Sequence, residues 1–138
     1  MLQQLFSFKG GVKPQTRKAP SVQSPIGQAP MPVRLYVPLH QSLGGAPNPL
    51  VQAGEQVLKG QVIGAADGWM SAAVHAPTSG TVLAVEEHVA AHPSGLPTLS
   101  VVIEPDGREQ WIARTPLDHR SLAPERVREM LRDAGVVG

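Results

Sequence analysis

The chain has 138 residues, 12 basic and 11 acidic side chains, a formal net charge of +1 and no cysteine. That length accommodates one domain plus appendages, and the near-balanced charge supplies no general field for holding nucleic acid or an anionic membrane. The missing thiols exclude disulfides, thiolate metal sites, iron–sulfur ligation and a cysteine nucleophile within these residues, and fit a cytosolic domain. Hydrophobic residues make up 41% of the chain but aromatics only 4%, so the expected core is Val, Leu, Ile and Ala rather than rings. Glycine and proline, 14 of each, cut the chain into short segments and argue against long helices over most of its length.

The start, MLQQLFSFKGG, lacks the basic region and apolar stretch of a secretory signal. No window approaches the roughly 20 apolar residues a membrane helix needs. Residues 1–32 read as an extended arm, with Pro14, Pro20, Pro25, Pro30 and Pro32 against a regular helix and Gly10-Gly11 as a tight turn. Its basic residues Lys9, Lys13, Arg17 and Lys18 are read as a solvated face, with a strap onto a neighbouring subunit or anionic surface as the sharper alternative.

The domain proper is expected over 33–116. Val33 to Leu39 alternates Val33, Leu35 and Val37 with Arg34, Tyr36 and Pro38, a strand that Pro38 places at a sheet edge. Residues 40–49 read as a loop. Two similar half-patterns follow: Val51-x-x-Gly54-x-x-Val57-x-x-Gly60-Gln61-x-Ile63, then Val74-x-Ala76-Pro77-x-x-Gly80-x-Val82. Short apolar strands separated by glycine turns and repeated in this way predict a flattened barrel of two interlocked hairpin units, as in biotinyl and lipoyl carrier domains. Asp67-Gly68 marks a hairpin between the halves. Thr81 to Glu86 is expected as a strand with Val82 and Ala84 on one face, Leu83 and Val85 on the other. Thr98 to Glu104 is the strongest strand, with Asp106-Gly107 turning it into a partner at Glu109 to Ala113. Residues 117–138 change character. Ser121 is the expected cap of a helix beginning at Pro124, with Val127, Met130 and Leu131 at helical spacing and Ala134-Gly135 as its end.

A carrier needs a lysine amine at the exposed tip, and here the tip reads Ala66-Asp67-Gly68-Trp69-Met70-Ser71. Trp69 stands near the acceptor position, and the nearest lysine, Lys59, lies in a different turn. No covalent prosthetic group is therefore expected. Trp69 and Met70 are the candidate interface: an apolar knob for a protein contact if exposed, a plug of the barrel end if tucked in. Among the five histidines, His88 and His92 have helical metal-pair spacing, but His92-Pro93-Ser94-Gly95 is loop chemistry and polar loop histidines are the expectation. His75 is expected to hydrogen-bond nearby backbone, and His40 and His119 carry no signal. Ser71, Ser79, Ser94 and Ser100 lack a nucleophile elbow, and no phosphate-binding glycine motif is complete. No catalytic, cofactor-binding or metal residue is assigned.

Several stretches in order carry a family resemblance: Phe8-Lys9-Gly10-Gly11-Val12-Lys13-Pro14, Val37 to Gln41, Val57 to Gln61, His75-Ala76-Pro77-Thr78-Ser79-Gly80-Thr81-Val82, Ala91 to Ser94 and Leu99 to Ile103. Together they resemble the front of the C subunit of the Rnf electron transport complex, from about Phe6 to Gly138. The resemblance implies a mostly β barrel-sandwich hybrid with an extended N-terminal arm and a C-terminal helix. It implies a peripheral subunit on the cytoplasmic side of the bacterial inner membrane, in a complex coupling electron flow between NADH and ferredoxin to ion movement. The partners it implies are the other subunits and a following NADH- and flavin-binding domain. Val136-Val137-Gly138 would be the entrance to that domain's flavin loop. FMN and 4Fe–4S clusters are implied for the full-length subunit and none for these residues. The front domain of the A subunit of the sodium-pumping NADH:quinone oxidoreductase looks similar and is the alternative; a biotinyl or lipoyl carrier is disfavoured by the lysine-free tip.

Overall fold

The computed structural model describes Gly11, residues 15–68 and residues 70–136. The chain divides into two compact units, Met1–Pro30 and Met31–Gly138. The described part of the first is exposed throughout. The prolines do not abolish helix there: one turn, α1 (Ala19–Val22), forms with Pro20 inside its first turn, where a missing N–H costs nothing. Lys9, Lys13 and the Gly10 half of the expected glycine turn lie outside the described residues, while Arg17 and Lys18 are exposed.

The second unit is mostly β, as the half-patterns predict. Its strands are β1 (Leu35–Pro38), β2 (Asn48–Pro49), β3 (Gln56–Val57), β4 (Val62–Ala65), β5 (Val74–His75), β6 (Gly80–Val89) and β7 (Pro97–Pro105), followed by helix α2 (Pro124–Asp133). One antiparallel sheet runs β1-β7-β6-β3, the other β2-β4-β5. Val37, Leu39, Val57, Ile63, Val74, Val82, Val101 and Ile103, drawn from both sheets, form one core with no ring in it. β1 and β2 are sheet edges, and each ends in a proline that has no N–H to offer outward.

The halves interlock through their glycine turns. The Gly54 N–H donates to the Val82 carbonyl at 2.8 Å and the Gly60 N–H to the Ala76 carbonyl at 2.8 Å, so each turn of the first half is pinned to the second, at β6 and just past β5. Both glycines have positive φ (+91° and +80°), a conformation that disfavours any side chain. Gly80 answers a different demand: a Cβ there would collide with the Glu104 carbonyl across the β6–β7 ladder.

Four expectations need correction. Residues 40–49 are not all loop, because Asn48 and Pro49 pair with Ala65 and Gly64. Val82 and Ala84 do not share a face: the register steps from Val82↔Ile103 to Ala84↔Val102, leaving Leu83 as a bulge. The extra residue turns Val85 toward the core that Val82 also fills. Glu109 to Ala113 does not pair with β7, whose hairpin partner is β6. It runs beside Lys59 instead, with the Lys59 N–H donating to the Gln110 carbonyl at 2.8 Å and the Ile112 N–H to the Lys59 carbonyl at 3.1 Å. Finally, Ser121 does not cap α2. It sits in a 3-10 turn (His119–Ser121) with its hydroxyl donating to the Asp118 carbonyl, and Ala123 occupies the cap position without a side-chain bond.

α2 ends as predicted at Ala134-Gly135. Gly135 (φ +71°) closes a Schellman turn: its N–H donates to the Arg132 carbonyl and the Val136 N–H to the Leu131 carbonyl. A Cβ on Gly135 would press on the Ala73 carbonyl at 2.8 Å, so the turn lies directly against the end of the β4–β5 hairpin.

Candidate functional site

The hairpin joining β4 to β5 has its tip at residues 66–73. Gly68 (φ +69°) and Met70 (φ +65°) both take the left-handed conformation, which for a methionine costs about 1–2 kcal/mol and must be held by its surroundings. The surroundings hold it from two sides. On one side, the Ser42 hydroxyl donates to the Met70 carbonyl at 3.2 Å. The buried Ser71 hydroxyl donates to the Gly45 carbonyl at 2.9 Å and accepts from the Asp67 N–H at 3.0 Å. Gly44 is packed so closely that a Cβ would overlap the Met70 carbonyl, and one on Gly45 would lie 2.9 Å from the Asp67 carbonyl oxygen. On the other side, Arg132 of α2 donates from Nη2 to the Gly68 carbonyl at 2.7 Å.

Of the two candidate interface residues, Met70 has 58% of its surface exposed, while Trp69 lies outside the described residues. Of the residues that clamp the tip, sequence reasoning names only Ser71, and that as a serine without a nucleophile elbow; Ser42, Gly44, Gly45 and Arg132 it does not single out. The only signals there were a glycine pair in a loop and one serine in an alanine-rich run.

Lys59, the nearest lysine, is committed elsewhere. Its ammonium pairs with the Glu109 carboxylate and sits 5.2 Å from the Trp111 ring centroid. The Arg114 guanidinium stacks on the same ring at 3.3 Å, and Gly60 is so close that a Cβ would meet the ring at 2.9 Å. The turn Thr78-Ser79 completes this strap. Thr78 donates to Glu109 at 3.1 Å; Ser79 donates to Asp106 at 2.7 Å and accepts from the Gln110 N–H at 2.9 Å. These bonds set the acidities. The Arg108 backbone N–H and the Ser79 hydroxyl hold the Asp106 carboxyl below its usual range. The Lys59 ammonium and the Thr78 hydroxyl do the same for Glu109.

The histidines are spread over the unit. His88 bonds Glu86 at 3.0 Å and lies 4.2 Å from the Tyr36 ring; His92 bonds Ser94 at 2.9 Å; His40 bonds the Gly44 carbonyl at 3.0 Å. The His75 ring shows no hydrogen bond among the described residues and instead lies beside Gly135, so the expected backbone contact is replaced by packing against the end of α2. His119 is in the 3-10 turn. Among the described residues no group of three or more His, Asp or Glu side chains could hold a metal ion, and no helix is long and apolar enough to cross a membrane.

A carrier barrel whose tip is clamped and lysine-free matches one family model, the RnfC barrel sandwich hybrid domain, over residues 6–108. The chain belongs to the RnfC family. RnfC-family relatives agree along almost its whole length. It is 47% identical over 135 residues to the C subunit of the ion-translocating oxidoreductase complex of Actinobacillus succinogenes, covering 97% of this chain and 19% of the relative. The corresponding protein of Pseudomonas aeruginosa is 45% identical over 97% of this chain and 17% of its own length. That of Rhodobacter capsulatus is 43% identical over 98% of this chain and 26% of its own. The chain thus spans about a quarter or less of the RnfC proteins it matches. The match bears out the barrel-sandwich architecture and the Rnf resemblance read from the ordered stretches between Phe8 and Ile103.

Proposed function

We propose that this chain is a non-catalytic docking domain at the front of an RnfC protein, and that Trp69 and Met70 belong to its interface. The clamped tip carries the reading. A carrier tip must swing a prosthetic group between sites, whereas here two hydroxyl–carbonyl bonds and Arg132 immobilise the same hairpin and no amine is presented. Rigid, preorganised surface favours a fixed protein contact, because little ordering entropy is lost on binding. The working assembly would be an ion-translocating oxidoreductase complex passing electrons between NADH and ferredoxin. The domain would lie on the cytoplasmic side of the bacterial inner membrane, held there by partner subunits and by the NADH/flavin domain of the same polypeptide. FMN and iron–sulfur clusters would be carried outside these residues, which have no thiolate to ligate iron. Residues 1–32 would act as an arm and 117–138 as the lead into the flavin domain.

The test has two parts. Titrating FMN and NADH into the purified 138-residue chain should give no binding, and tight stoichiometric uptake of either would overturn the non-catalytic reading. In cells, the tagged full-length protein should co-purify with the membrane complex. Trp69→Ala should weaken that co-purification while leaving the melting temperature in place; a large loss of thermal stability with normal assembly would make Trp69 a core plug instead.

A further inference from the structure

α2 is an amphipathic helix that buries none of its residues. Val127 and Met130 are half-buried, whereas Leu131 remains 47% exposed. Leu131 does not stand alone. With Leu43 (96% exposed), Met70 (58%) and Val136 (58%) it lines one open groove of about 520 Å³ between α2, the hairpin tip and the loop before β2. Arg128 and Arg132, one helical turn apart, form the groove's charged side. Single exposed apolar residues are ordinary on a surface, but four converging on one groove mark an interaction site.

The walls are fixed before anything binds. Ser42 ties the loop to Met70, Arg132 ties α2 to the tip, and the Schellman turn sets the position of Val136 beyond the helix. The charges are available. Arg132 pairs with no carboxylate among the described residues, and the Arg128–Glu125 pair is a surface pair with both side chains about 70% exposed, easily exchanged for a better partner.

Resting on the reading that this chain works inside an assembly, we propose that the groove seats one amphipathic helix of a partner protein. Its apolar face would cover Leu43, Met70, Leu131 and Val136, and two carboxylates four residues apart would face Arg128 and Arg132. The spacing follows from α2 itself, since a helix laid along it meets i and i+4 positions on one face. A second copy of this chain fits less well. Its own α2 has Glu125 and Glu129 at that spacing, but they stand among Arg126, Arg128 and Arg132, so a second copy would bring like charges against the groove's arginines.

The experiment places a photoreactive benzoyl-phenylalanine at Leu43 of the full-length protein in native membranes, with Leu96, exposed on the β6–β7 loop, as the control position. The expected result is an adduct from position 43, and not 96, to one partner peptide with apolar residues at helical spacing and carboxylates four residues apart. Arg128→Glu with Arg132→Glu should reduce the adduct about tenfold, and lysines in place of the partner's carboxylates should restore it. Leu43→Asp, which removes a side chain with almost no contacts in the fold, should release the partner without lowering the melting temperature. An adduct to a second copy, to a peptide lacking the carboxylates, or from position 96 alone overturns the proposal. Co-purification with the complex distinguishes the two levels: a protein that co-purifies but gives no adduct at 43 refutes the groove alone, while one absent from the complex refutes the assembly reading.

Discussion

Gly44→Ala adds one methyl group where the Met70 carbonyl already stands, with the Ser71 nitrogen 3.0 Å from the new atom. Both obstacles are backbone, so no rotamer change relieves the overlap; the loop before β2 must withdraw from the tip. Withdrawal breaks the Ser42–Met70 and Ser71–Gly45 hydrogen bonds, at about 1 kcal/mol each. The Ser71 hydroxyl is buried and loses its acceptor, which adds about 1–2 kcal/mol. Gly44 has no positive φ, so alanine meets no backbone strain there and tightens the unfolded chain by a few tenths to about 1 kcal/mol. The net destabilisation is about 2–4 kcal/mol. For a folded unit of this size the melting temperature should fall by on the order of 10 °C. Gly27→Ala, with no atom within 4 Å of its Cβ, is the matched control and should change stability by less than about 0.5 kcal/mol. Calorimetry gives the shift, and hydrogen exchange across residues 66–73 shows whether the tip has been released. A Gly44→Ala protein that melts with the parent, its tip still protected, would refute the clamp.

Ile63 is fully buried where the two sheets meet, so Ile63→Ala should cost about 2–5 kcal/mol in urea unfolding, without altering the slope. Acid should loosen the strap at 106–112. Glu109 and Asp106 are both held below their ordinary values of 4.5 and 3.8, so their contribution is complete above those values and is lost as pH falls through the depressed folded ones. Thermal melts from about pH 7 down to about pH 3 should therefore decline on the acid side, and Glu109→Gln should flatten that decline; an unchanged acid limb in the variant would remove Glu109 from the account.

The barrel was legible because its determinants are local. Gly54, Gly60 and Gly68 sit where the chain must take positive φ, and short Val/Ile runs separate them. Pro38 announced an edge and the edge is there. What escaped was set by contacts distant in sequence. Nothing near Leu83 encodes its bulge; the register of β7 across the ladder does. Glu109 to Ala113 alternates like a strand and follows a good turn, so it reads as a hairpin partner. Thr78, Ser79 and Lys59 hold it instead, and β7 is paired on both edges, with β1 and β6. Ser121 has the right chemistry for a cap, but Asp118 captures it one turn early. At the candidate site, Trp69 and Met70 stood out because large apolar residues at a hairpin tip are conspicuous. The clamp did not, because Gly44 acts through the side chain it lacks and Ser71 through a carbonyl 26 residues away.

The two prolines that end β1 and β2 bear on how copies of this domain meet one another. A barrel made of short strands exposes edges on which another chain could add strand upon strand into a fibre. Pro38 and Pro49 interrupt two of the four sheet edges, so a stack growing on β1 or β2 loses a rung, and the other two edges, β3 and β5, are only two residues long. Concentrated domain should then remain as single folded molecules where an uninterrupted edge would pair with its neighbour.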